Sequence, residues 1–210
     1  MMALLTVTDI VNTACAKIGE EPPQSLTDDL GGGQSASLLY EAVVDFNLGL
    51  QPSGFHFARE VRQLSRLTGV TAYTGYDYVF EVPGPHDGPP VFLTDDPSDP
   101  GRRYDRYVLT AGRVHASDDP LYAMVKFRPD PHHWTGTFRM ATISALAAEM
   151  AMAIASDRNT MQIWHQVAYG NASDNFRGGQ IRAALTEDGF ANPPRRIAVA
   201  DNPLERSWRS

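Results

Sequence analysis

The sequence predicts an α+β protein: a four-helix-type bundle, an antiparallel β module inserted into it, and an extended C-terminal tail. Three observations carry this. Residues 8–50 and 136–185 hold apolar side chains at helical spacing, the stretch between them alternates with a period of two, and the last two dozen residues are rich in proline and arginine. The chain therefore divides into a discontinuous helical bundle (1–57 and 136–185), a β-rich insertion (58–135) and an extended arm (186–210).

Thr8 is placed to cap a first helix, with Asp9 near the positive end of its dipole. Ile10, Val11, Ala14, Cys15 and Ile18 fall on one face, and Gly19 followed by Pro22-Pro23 ends the helix. Gly31-Gly32-Gly33 makes a joint before a second helix whose seam is Ala36, Leu39, Val43, Phe46 and Leu50. Glu41 and Asp45 are left for solvent or a neighbour. Pro52 and Gly54 close that helix, and Phe55-His56-Phe57 is expected to wedge between the helical and β parts.

From Ala58 the period becomes two. Tyr76, Tyr78, Phe80 and Val82 alternate with polar or smaller residues as a half-buried strand. Val91 to Leu93, Tyr104 to Leu109, Val114 to Ala116 and Tyr122 to Phe127 are further strands, with a hairpin at Ala111-Gly112. The connectors at 83–90 and 95–101 are long for a compact sheet and are expected to project. Helix returns near Phe138. Its two apolar stripes, Phe138-Ala141-Ala145-Ala148-Met152-Ala155 and Ile143-Ala147-Met150-Ile154, make it the central helix. Asp157 caps a fourth helix carrying Met161, Trp164 and Ala168, then Ala172 and Phe176 beyond Gly170; Gly178-Gly179 bends or ends it, and Ile181 to Leu185 form a last short helix.

Eighteen basic against twenty-five acidic residues give a net charge of −7. No Lys/Arg run exceeds two residues, which argues against gripping DNA by its phosphates. The lone Cys15 excludes an internal disulfide and reads as a small buried hydrophobe. The N-terminus lacks a basic n-region, and the apolar run from Met140 to Ala155 is too short to span hydrocarbon comfortably. A soluble protein made in the cytoplasm, without membrane contact, is expected.

Polar side chains do not gather into a recognisable catalytic set, so the expectation is a non-enzyme with no cofactor and no metal. His132-His133 beside Asp130 lack the spacing of a helical zinc site, and their side chains are expected to diverge in a surface turn. Asp95, Asp96 and Asp99 fit no calcium-binding loop. Asp118-Asp119 with Asp105 are the one carboxylate set that glycoside hydrolysis would use, and Asp-Pro turn chemistry accounts for Asp119. No phosphate-binding loop is present, since Gln34 follows the triple glycine.

The tail differs in kind. Gly189, Pro193-Pro194 and Pro203 are expected to forbid regular structure across most of it, and residues 191–210 carry four arginines against two acids. Such a segment has no core of its own, so a partner surface is expected to hold it. Arg195, Arg196, Arg206, Trp208 and Arg209 are its candidate partner-binding residues, because Arg and Trp join contact area to directed hydrogen bonds.

The order of these pieces resembles the bacteriophage tail tubular protein A or head-to-tail adaptor (connector) family. The similar stretches are Ile10-Val11-Asn12, Ile18 to Pro22, Ser25 to Asp28, Tyr40, Val43-Val44-Asp45, and Pro52 followed by Phe55 to Ala58. Tyr104 to Gly112, Leu121-Tyr122, Trp134 with Phe138, the Ala-rich helix and Ser207-Trp208 continue the likeness. The chain departs at Ser53-Gly54, where the family usually has a tryptophan after the proline, and at the triple glycine.

The resemblance implies a structural virion protein at the head-tail interface, assembled in the host cytoplasm. Its homo-oligomeric ring, commonly dodecameric, would sit between the portal protein and a downstream tail or nozzle protein. Genomic DNA would pass through the lumen without sequence-specific binding, and the tail arginines would meet the portal or a neighbouring subunit. Exposed carboxylates such as Glu41, Asp45, Asp157 and Asp174 are candidates for a repelling lumen. Two rival readings stand beside it: a stopper or tail-terminator ring, and a tail part that binds or cleaves host-surface polysaccharide through a groove lined by Tyr73, Tyr76 and Tyr78.

Overall fold

A capping box opens the first helix. In the computed structural model, which describes residues 6–23, 25–26, 33–99 and 102–191, helix α1 spans Val7–Ile18. Its cap is Thr6, not Thr8: the Asp9 amide donates to the Thr6 hydroxyl at 3.2 Å, and the Thr6 amide donates back to the Asp9 carboxylate at 2.8 Å. The reciprocal pair satisfies two orphan donors, which Thr8 inside the helix has no means to do. Ile10, Val11, Ala14 and Cys15 are buried as the spacing predicts, and left-handed Gly19 ends the helix.

Helix α2 spans Gly33–Gly49. Its inward face is rotated from the predicted seam: Ala36, Tyr40, Val43, Val44 and Asn47 are buried, while Phe46 is exposed. Tyr40 turns inward to stack with Trp134 at 6.4 Å, and Asn47 finds buried hydrogen-bond partners described below. Glu41 and Asp45 stay exposed and both pair with Arg128, which leaves the β region just before the helices resume.

Among the described residues, the region between the helices holds seven strands in two antiparallel sheets. Strands β1 (Arg59–Gln63), β7 (Tyr122–Lys126) and β4 (Phe92–Thr94) form one sheet in the order β1-β7-β4. Strands β2 (Ser65–Arg66), β3 (Tyr78–Glu81), β5 (Tyr107–Thr110) and β6 (Arg113–Ala116) form the other, ordered β2-β3-β6-β5. Leu64 carries the chain from one sheet to the other, its amide donating to the Leu121 carbonyl at 2.8 Å. Phe80, Val82, Leu93, Val114, Leu121 and Val125 fill a shared core.

The β5–β6 hairpin turns at Ala111 and Gly112, both left-handed. The strand expected from Tyr104 begins later, at Tyr107; Tyr104 makes only an isolated bridge to Leu93. Tyr76 lies before β3.

Helix α3 spans Gly136–Ala153, α4 Arg158–Tyr169 and α5 Gly179–Ala191. Eleven α3 residues are buried, and α3 touches each of the other α-helices. It is central, as its two stripes predict, although Met152 and Ile154 emerge where it ends. Asp157 caps α4, accepting from the Asn159 and Thr160 amides at 2.9 and 3.1 Å.

The helical part thus has five α-helices among the described residues, not the four of a four-helix-type bundle. Helix α5 passes the predicted end at Leu185 and takes residues 186–191 out of the expected extended arm. Buried Asp188 holds this last stretch: it accepts from the Gln51 side chain at 3.0 Å and from the His56 amide at 2.6 Å. Among the described residues, no helix is long and apolar enough to cross a membrane.

Candidate functional site

Aromatic side chains gather within the helical core cluster. Phe55 is fully buried, stacks with Phe57 at 5.4 Å and meets Phe138 edge-on at 4.9 Å. Trp134 completes the group, 5.1 Å from Phe138, and its indole N–H donates to the Pro129 carbonyl. Phe55 and Phe57 thus pack in the helical core cluster, and among the described residues their ring contacts lie there and not between the helical and β parts, where the wedge is expected. Beside this cluster lies a cleft of about 340 Å³ between α2 and the loop at 86–88, lined among others by Asp45, Phe55, His86, Asp87 and Lys126.

A polar network ties the helices together. Asn47 is fully buried and donates to the Thr142 hydroxyl at 3.1 Å, while the Tyr169 hydroxyl donates to Asn47 Oδ1 at 2.8 Å. Burial, reinforced by Glu149, raises the Tyr169 phenol far above its ordinary value, so it remains a donor. Nearby, the Lys17 ammonium donates to Ser144 Oγ at 2.8 Å, and Ser144 donates to Gln180 Oε1 at 2.8 Å. A lysine beside a serine hydroxyl has the form of a base–nucleophile pair. Ser144 is completely buried, however, so no substrate reaches its oxygen, and Lys17 also sits 4.3 Å from the Trp164 ring.

Candidate aspartates pair with separate arginines. Asp118 pairs with Arg106 at 3.3 Å and Asp119 with Arg66 at 3.4 Å. Asp95 pairs with Arg102, and Asp96 accepts from the Ser98 amide and hydroxyl, which hold its carboxyl below the usual aspartate range. His132 and His133 occupy a 3-10 turn with rings 3.8 Å apart, so they converge where extended backbone would splay them. No group of three or more His, Cys, Asp or Glu side chains suited to a metal occurs among the described residues.

Of the tyrosines expected to line a groove, Tyr73 is exposed while Tyr76 and Tyr78 are half-buried. Tyr73 stacks on His115 at 4.1 Å and Tyr78 lies under the Arg66 guanidinium at 4.0 Å. Glu41, Asp45, Asp157 and Asp174 are exposed, as a lumen face would require, but each has a local partner. Arg195, Arg196, Arg206, Trp208 and Arg209 lie outside the described residues.

Two further surfaces escape a reading of the sequence. The first is an aromatic groove between α2 and α4, about 250 Å³, lined by Leu39, Val43, Phe46, Tyr169, Phe176, Glu149 and His165. Phe46 and Phe176 meet edge-on at 5.4 Å yet are 43% and 48% exposed. Asn175 and Phe176 both take left-handed backbone, with φ of 49° and 60°, to present that ring. For a bulky residue such a conformation costs about 1–3 kcal/mol. The second is the outward stripe of α5, where Arg182, Ala183, Thr186, Glu187 and Phe190 flank a shallow trough with Thr137, whose hydroxyl donates to Glu187. Phe190 is 80% exposed. No local sequence signal marks the backbone reversal at Phe176, and Phe190 falls in the stretch the sequence assigns to the arm.

Comparison with known proteins finds no matching family model and no matching curated sequence.

Proposed function

We propose that this chain is a structural virion protein: a head-to-tail adaptor whose copies form a ring between a phage portal and the tail. In this reading α1 to α4 act as the four-helix-type unit that builds the ring, with α5 on its flank. The β region and its proline-rich loops face the next tail component. The motif resemblance, from Ile10-Val11-Asn12 through Trp134 and Phe138, supplies the family.

One structural observation carries the assembly aspect: the distribution of exposed apolar side chains. Among the described residues, Leu38, Phe46, Met140, Met152, Ile154, Ile163, Phe176 and Phe190 stand exposed on the helical part, against Val70, Tyr73, Val108 and Leu109 on the β part. Phe46 and Phe176 meet edge-on while both stay exposed, and a contiguous exposed apolar patch marks contact with another protein. The net charge of −7 suits a conduit that lets DNA slide without adhesion, because carboxylates repel phosphates.

Electron microscopy of the purified full chain at rising concentration tests this reading. Annular particles with an open centre are the expected result. Featureless monomers at every concentration, including in mixtures with the portal of the same virion, would refute it.

A further inference from the structure

The aromatic groove and the α5 stripe share no residue and complement each other. The groove, at about 250 Å³, is smaller than the roughly 300–1,000 Å³ of ordinary small-molecule sites and suits one large side chain. Its walls are mainly apolar, with Glu149, His165 and Tyr169 as the ionisable residues. Phe190 is shaped for such a hollow. It follows buried Asp188 by two positions, about 200° around the helix, so it points away from the body.

One charge pair agrees in sign, Arg182 with Glu149, while Glu187 on the stripe is held by the Thr137 hydroxyl. Arg182 lies eight residues before Phe190 on the same stripe, about 12 Å along α5. Glu149 lines the groove from α3, beside Phe46 and Phe176. Among the described residues neither Glu149 nor Arg182 forms an ion pair. An aromatic knob and a cation on one surface thus match an aromatic hollow and an anion on the other.

We infer that successive copies of this chain bind head to tail through these two surfaces, Phe190 entering the Phe46–Phe176 groove and Arg182 meeting Glu149. The contact rests on the ring reading above and specifies its interface. Because the surfaces differ, the interface is heterologous, and it closes into a ring when the rotation per copy divides a full turn.

Sedimentation velocity on the full chain, with Glu149→Arg and Arg182→Glu prepared separately, tests the inference. Both sites are exposed and their side chains make no hydrogen bond within the described fold, so each variant is expected to fold, as circular dichroism will verify. Each alone should need at least tenfold more protein than the wild type to associate. An equal mixture should recover association, since every contact then pairs opposite charges. Phe190→Ser should weaken association independently of charge. If the wild type associates and these variants do so equally well, this interface is wrong while the ring reading stands. If the wild type itself never associates, the ring reading falls, and this contact with it.

Discussion

Asp188 accepts the backbone N–H of His56 at 2.6 Å, joining two residues 132 positions apart in the chain. The carboxylate is buried and its second oxygen accepts from Gln51. It fastens α5 to the turn where the chain leaves the helices for the β region. Both its partners are neutral, so the bonds rather than an opposite charge hold it there.

Asp188→Ala should therefore destabilise the protein by about 2 kcal/mol, because it removes charge-assisted bonds and strands the His56 amide. Asp188→Asn, which keeps acceptor capacity, should cost less. Urea denaturation measures both, and equal losses for the two variants would contradict the role given to the bonds.

Tyr169→Phe removes the hydroxyl that satisfies Asn47 Oδ1 inside the helical core. The predicted loss is about 1–2 kcal/mol, since a buried acceptor is left bare. Asn47→Ala should cost more, because it strands both Thr142 and Tyr169 and opens a void. Thermal unfolding of the two variants and the double variant reads their coupling.

Asp157 caps α4, and its bonds from the Thr160 hydroxyl and amide favour the ionised carboxylate, holding its pKa below the ordinary 3.8. A folded pKa below the unfolded one contributes stability above the unfolded value, which is lost as pH falls through the folded one. Asp9 behaves alike in its capping box with Thr6. Asp157→Asn retains a capping side chain without titrating. Its thermal midpoint should fall less than that of the wild type between about pH 4 and about pH 2.

Gly170 closes α4 with φ of +80°, and a Cβ there would come within 2.8 Å of the Gly178 Cα. Gly170→Ala combines a disfavoured backbone region with a clash against main chain, so a loss above about 1 kcal/mol is expected. Gly189→Ala is the control, since no neighbouring atom lies within 4 Å of the added methyl and the position is helical without positive φ. It should be neutral or slightly stabilising.

What was legible in the sequence followed local rules. The all-round apolar character of α3 needs no knowledge of its neighbours to place it centrally, and the Asp157 cap depends on residues within one turn. The face of α2 was misjudged because Tyr40 and Asn47 are inside only by virtue of Trp134, Thr142 and Tyr169, all remote in sequence. Strand β1, Arg-Glu-Val-Arg-Gln, carries one apolar residue and owes its form to pairing with β7. Gly189 reads as a breaker, yet the bonds to Asp188 carry α5 beyond it. The groove was illegible for a similar reason: Phe176 reaches Phe46 through a left-handed turn that its own residue type disfavours.

Mass determination of the purified full chain, by native mass spectrometry at rising concentration and again with the portal of its virion, tests the central claim most directly. The account predicts one discrete closed oligomer, formed alone or on the portal, with few species between it and the monomer. A single-subunit mass throughout both series would contradict it.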